Sequence, residues 1–131
     1  MQLKNKILLD TSALLALLKK EPGHEIVSNI IAISTISSVN LSELITVLSR
    51  AGVSENDIDE IITDLVPEII PFCGDISIKT GKISKLTQGY GLSLGDRACL
   101  ATAIQLGLPV YTADKIWAEL DLPNVKINLI R

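Results

Sequence analysis

The chain has 131 residues, 47% hydrophobic and 21% charged, which suits one compact soluble domain that buries roughly two-thirds of its unfolded surface and needs no disulfide or structural metal to fold. Its net charge of -3, from 12 basic against 15 acidic residues, lacks the basic excess that would advertise nucleic-acid binding. No apolar run approaches the roughly 18 residues of a membrane span, and Asp10 breaks the stretch Ile7-Leu8-Leu9 behind Lys4 and Lys6 with no small-residue cleavage site following, so a cytoplasmic location is expected.

Short β-type runs alternate with helical periodicity, which predicts an α/β domain with a mainly parallel central sheet. Residues 6–9 read as the first strand. Ser12 can cap a helix running to residue 20, with Leu14, Leu15, Leu17 and Leu18 as its apolar face, until Pro22-Gly23 ends it. A second helix is expected over 24–31, a strand over 33–39 and a helix over 40–50 that stops near Gly52. Ser54 with Asp57 has capping-box spacing and opens a helix with Ile58, Ile61, Ile62 and Leu65 on its apolar side. Residues 68–72 read as a short strand; Pro67 flanks it and Pro71 lies within it, which places it near a sheet edge. The pattern then predicts a helix over 75–90 with Ile76, Ile83 and Leu86 inward, closed by Gly91, and another from Ser93 to residue 106, stopped by Gly107. A strand over 110–112, a short helix over 115–120 and an alternating strand over 125–130 complete the chain. Cys73 and Cys99 lack CxxC or Cys/His ligand spacing and read as buried, reduced thiols.

Four carboxylates interrupt apolar segments: Asp10, Glu43, Asp96 and Asp114. Asp10 stands at the carboxyl end of the first strand, where open α/β sheets place their ligand sites; a turn or cap role competes. Glu43 points away from the apolar face Leu41, Leu44, Ile45 and Leu48, and alone would read as a surface residue, although Val39 and Val47 are its helical neighbours. Asp96 shares a stripe with Cys99, Leu100 and Ala103, while its spacing from Ser93 also fits a capping box. Asp114 sits between strand and helix, a usual N-cap place, with the Thr112 hydroxyl two residues earlier. Carboxylates gathered in one place raise one another's pKa or recruit a hard divalent cation. If all four are neutralised that way, 11 acids remain against 12 basic residues, so net charge decides little about a polyanionic substrate.

The segments Leu8-Leu9-Asp10-Thr11-Ser12-Ala13-Leu14, Asn40-Leu41-Ser42-Glu43-Leu44, Leu94-Gly95-Asp96-Arg97-Ala98-Cys99-Leu100-Ala101 and Tyr111-Thr112-Ala113-Asp114-Lys115-Ile116-Trp117 together resemble the four motifs of the PIN-domain ribonucleases, above all the small VapC-type toxins of toxin-antitoxin pairs. The resemblance implies a single PIN-like domain over residues 1–131, a three-layer α/β/α fold, and an acidic pocket at the strand ends holding Mg²⁺ or Mn²⁺. It implies Asp10 and Asp96 as principal metal ligands, Glu43 and Asp114 as completing acids, and Thr112 as a hydroxyl beside the last acid. It further implies RNA as substrate, an antitoxin as partner and a homodimer; with a negative net charge, tight RNA binding would need basic side chains such as Lys79, Lys82, Lys85 and Arg97 to rim the pocket. His24, the single histidine, is not required by this chemistry.

Two other readings use the same acids. A Mg²⁺-dependent phosphotransfer domain also places Asp at strand ends, but a phosphatase of that kind has a second Asp where Ser12 stands, and a receiver has an acidic pair ahead of its phosphoacceptor that is missing before Asp10. A non-catalytic PIN-like module would use the acids to grip a basic peptide.

Overall fold

The computed structural model describes residues 3–66 and 68–131. Five strands form one all-parallel sheet in the order β3-β2-β1-β4-β5: β1 (Ile7–Leu9), β2 (Ser34–Ser37), β3 (Glu68–Ile70), β4 (Val110–Thr112) and β5 (Ile127–Leu129). The helices are α1 (Thr11–Lys19), α2 (His24–Ile30), α3 (Ser38–Arg50), α4 (Glu55–Leu65), α5 (Gly74–Lys82) and α6 (Leu94–Leu106), with 3₁₀ turns at Ile31–Ile33 and Lys115–Glu119. This is the expected α/β/α fold, with helices on both faces of a parallel sheet.

A sheet covered on both faces needs strands that are apolar on both sides, and β1 meets that demand. Ile7 and Leu9 enter one core with Ala13, Leu14, Val27, Ile36, Leu44 and Ile58, while Leu8 enters the other with Ile76, Cys99, Leu100, Val110 and Trp117. Alternate Cβ directions along the strand produce this division. α6 is the most enclosed helix, with Gly95 and Ala98–Ala103 buried, because it packs against α5, α3 and the central strands. Among the described residues, no helix is long and apolar enough to cross a membrane.

The strand order matters for the site. From β1 the chain moves outward through β2 to β3, then returns to place β4 on the other side of β1. The connections leaving β1 and β4 therefore diverge, and the crevice between their carboxyl ends is where such sheets bind ligands. Asp10 and Thr112 lie at those two ends.

Several expected boundaries shift. The cap of α1 is Asp10, whose carboxylate accepts from the Ala13 amide at 2.9 Å, not Ser12. α3 begins at Ser38 with Ser37 as cap, which shortens β2 and carries Asn40 into the first helical turn. The helix expected over 75–90 stops at Lys82, and residues 83–91 continue as turns. Here the Thr87 hydroxyl donates to the Ile83 carbonyl at 3.0 Å, a local bond that competes with regular helix, and Gly89 and Gly91 adopt positive φ. Leu86 is consequently 54% exposed rather than inward. Cys99 is buried as expected, but Cys73, just ahead of α5, is exposed. β3 is an edge strand as its prolines predict; Pro67 itself lies outside the described residues.

Candidate active site

Asp10 is 4% exposed and lies where β1 hands over to α1. Its carboxylate accepts hydrogen bonds from Ser12 Oγ at 2.8 and 2.9 Å, from Thr112 Oγ1 at 2.6 Å and from the Ala13 amide at 2.9 Å. Burial disfavours the charged form most strongly, the three donors oppose it in part, and the negative charge of Asp96 adds to it. The Asp10 pKa is raised to about 6 as a result.

Ser12 and Thr112 stitch the two strand ends together. Ser12 Oγ also accepts from the Ala113 amide at 3.0 Å, and Thr112 Oγ1 accepts from the Asp114 amide at 3.0 Å. Asp114 is exposed and caps the following 3₁₀ turn, its Oδ1 accepting from the Ile116 amide at 3.1 Å. One hydroxyl network thus connects the first acid to the backbone of the last.

The other two acids come from α3 and α6. Glu43 is half-buried rather than fully exposed: its Oε1 accepts from Thr11 Oγ1 at 2.8 Å and Asn40 Nδ2 at 2.7 Å. Its place against α6 depends on Gly95, because a Cβ added there would overlap the Glu43 carboxylate. Asp96 forms the expected capping box with Ser93, accepting from the Ser93 amide at 3.0 Å while its own amide donates to Ser93 Oγ at 3.1 Å. Burial raises the Asp96 pKa, the Ser93 bonds lower it, and the charges of Glu43 and Asp114 raise it again.

The electrostatic couplings define the arrangement. Asp96 lies within range of the charges of Glu43 and Asp114, and Asp10 within range of that of Asp96. Among the described residues the close contacts between basic and acidic side chains are His24–Glu25 and Arg131–Glu21; no basic side chain pairs with the quartet. Nor do three acidic, His or Cys side chains, among the described residues, close on one point as a ready-made metal cage. The donors are carboxylate and hydroxyl oxygens, which suits a hard cation that keeps part of its hydration shell and is held by few carboxylates. Beside Glu43 runs a groove of about 500 Å³, bordered by Val39, Ser42, Val47, Ser93 and Leu94.

Three of the basic side chains that could rim the pocket have contacts of their own. Arg97 donates to the Thr80 carbonyl at 3.2 Å. Lys79 and Lys82 line a separate groove with Asp75, Ile78 and Gln105, and Gln105 stands about 13 Å of helix beyond Asp96 at 1.5 Å per residue. What sequence reasoning missed is the polar frame of Thr11, Ser12 and Asn40. An Asn three residues before Glu43, one helical turn away and between Val39 and Leu41, is the sequence signal that could have found it, and the structure buries it to 1% exposure.

The PIN domain family model matches residues 7–122. Among curated proteins there is no match. Similar solved structures include DNA-bound VapBC from Salmonella typhimurium (TM-score 0.76, 21% identity, 96% of this chain and 98% of that one) and FitAcB from Neisseria gonorrhoeae (0.68, 24%, 92% and 95%). A third is PAE2754 from Pyrobaculum aerophilum (0.59, 16%, 93% and 90%). At these identities the structures speak for the fold, while the family match covers most of the sequence with Asp10, Glu43, Asp96 and Asp114 inside it. The chain belongs to the PIN domain family.

Proposed function

We propose that this protein is a divalent-metal-dependent endoribonuclease of the VapC type, a cytoplasmic toxin whose single domain cleaves RNA phosphodiester bonds and is restrained by a cognate antitoxin. One observation carries the reading: Asp10 stands at the switch point of a parallel sheet, Asp96 lies within range of its charge and of those of Glu43 and Asp114, and among the described residues no cationic side chain pairs with any of the four. Burial and neighbouring negative charge disfavour the ionised forms of Asp10 and Asp96, a cost that a bound cation would offset, and family membership supports nuclease chemistry there.

Asp10 and Asp96 would be the principal ligands for Mg²⁺ or Mn²⁺, with Glu43 and Asp114 completing the pocket directly or through water. When bound, such an ion supplies an activated water near neutral pH and neutralises charge at phosphorus. The protein's own part is orientation. Thr112 and Ser12 fix the Asp10 carboxylate between β1 and β4, Ser93 fixes Asp96, and the capping bond to Ile116 restrains Asp114. The solved neighbours named as VapBC and toxin-antitoxin complexes support an antitoxin partner. The absence of an acidic pair before Asp10 and the family match speak against phosphotransfer.

The test is cleavage of a mixed RNA panel, including tRNA and structured ribosomal fragments, by wild-type and Asp96→Asn protein with Mg²⁺, Mn²⁺ or EDTA. Activity that requires the metal and disappears with Asp96→Asn is expected. Activity surviving both EDTA and the substitution refutes the mechanism, and no cleavage by the partner-free wild type favours a binding module. Exposed Ile26 and Ile33 near the amino-terminal helices support a homodimer; sedimentation showing a 14.1 kDa species alone at micromolar concentration removes that part.

A further inference from the structure

Glu43 is aimed by its neighbours. Thr11 and Asn40 both donate to Oε1, and among the described residues Oε2 receives no hydrogen bond. Asn40 is anchored in turn: the same Nδ2 that reaches Glu43 donates to the Gly95 carbonyl at 3.2 Å. It therefore ties α3 to the start of α6, one residue before Asp96. The amide's orientation is dictated by these contacts, since the opposite flip would set Oδ1 against two acceptors.

Asn40 is a poor choice for stability alone. It is 1% exposed, and its Oδ1 has no donor among the described residues. A buried amide with an unused acceptor weakens a fold relative to an apolar side chain of similar size, whereas an amide that holds a carboxylate against a like charge has a use. Without the pin, repulsion from Asp96 and three side-chain torsions would let Glu43 swing toward solvent. Outer partners of this kind govern how well a carboxylate is presented to an ion.

We propose that Asn40 is the positioning residue of the acidic site: anchored on the Gly95 carbonyl, and assisted by Thr11, it pins Glu43 Oε1 so that Oε2 stays available to a divalent cation shared with Asp96. This rests on the metal-dependent reading above, and the experiment separates the two. Mn²⁺ is titrated calorimetrically into the full-length chain at neutral pH for wild type, Asn40→Ala, Thr11→Val, Glu43→Ala and the Asn40→Ala/Glu43→Ala double variant, with circular dichroism and thermal melting to establish folding. Asn40→Ala should weaken Mn²⁺ binding roughly 10- to 100-fold, Thr11→Val less so, and Asn40→Ala should have no further effect once Glu43 is removed, a coupling that general damage to the core would not produce. If Asn40→Ala does not fold, Thr11→Val against Glu43→Ala carries the same comparison. Wild-type affinity in both Asn40→Ala and Thr11→Val overturns the proposal alone, as does a loss that persists without Glu43. Failure of the wild type itself to bind Mn²⁺ overturns the metal-dependent reading together with it.

Discussion

Replacing Asp10 by Asn should stabilise the metal-free protein at pH 8 and destabilise it at pH 4. Asp10 has a folded pKa of about 6 against 3.8 for the ordinary carboxyl. Below pH 3.8 the group is protonated in both states and has no effect. Between pH 3.8 and 6 the unfolded chain loses the proton while the folded chain keeps it, so stability falls as pH rises. Above pH 6 the penalty is complete, and a shift of about two units corresponds to about 3 kcal/mol. The side chain is almost wholly buried, so solvent screening removes little of it. The substitution abolishes this penalty but also turns an NH₂ toward Ser12 and Thr112, which now donate to a carboxylate; disturbing those bonds costs about 1–2 kcal/mol. The net is a gain of about 1–2 kcal/mol at pH 8 and a loss of similar size at pH 4. Urea unfolding in EDTA across pH 4–8 measures it. A difference between variant and wild type that stays constant across that range would refute the argument, since the ionisation of Asp10 would then cost the fold nothing. Saturating Mn²⁺ should reverse the order at pH 8, because a ligand at 100 times its Kd stabilises the form that binds it by about 2.7 kcal/mol.

Gly95→Ala should leave the helix intact, or firmer by about 0.5–1 kcal/mol on intrinsic propensity, yet abolish RNA cleavage by expelling the Glu43 carboxylate from its seat; cleavage at the wild-type rate with an unchanged melting curve would contradict that geometry. Thr112→Val removes the 2.6 Å bond that lowers the Asp10 pKa, so the acidic limb of the activity profile should move to higher pH, and a profile superimposable on wild type would show that Thr112 does not tune the acid.

The acids were legible because they break a rule. Asp10 after Ile7-Leu8-Leu9 and Asp96 on the stripe of Cys99, Leu100 and Ala103 stand where periodicity calls for apolar residues, and a carboxylate in such a place calls for a partner. Glu43 was less legible: alternation within one helix puts it on the outer side, and only α6 packed across α3 covers it. The helix expected over 75–90 went astray for a related reason, since Ile83 keeps the apolar period while the Thr87 hydroxyl and the glycines beyond it favour turns. Lys79 and Lys82 mark the limit of the same reasoning: charge near a motif in sequence says nothing about which face of a packed helix it joins, and both line a groove with Asp75, Ile78 and Gln105.

Local chemistry sufficed for much of this protein. The alternation of strand and helix, the Ser93–Asp96 box and the edge position of β3 depend on neighbours within a few residues, and short-range sterics and hydrogen bonding encode those in sequence. The frame around the acids does not depend on near neighbours. The Asp10–Thr112 bond spans 102 residues and the Asn40–Gly95 bond spans 55, contacts that exist because β4 returns beside β1 and α6 settles against α3. No window along the chain contains that information. It arises only when the two cores close and bring the polar residues at the strand and helix ends within reach of one another.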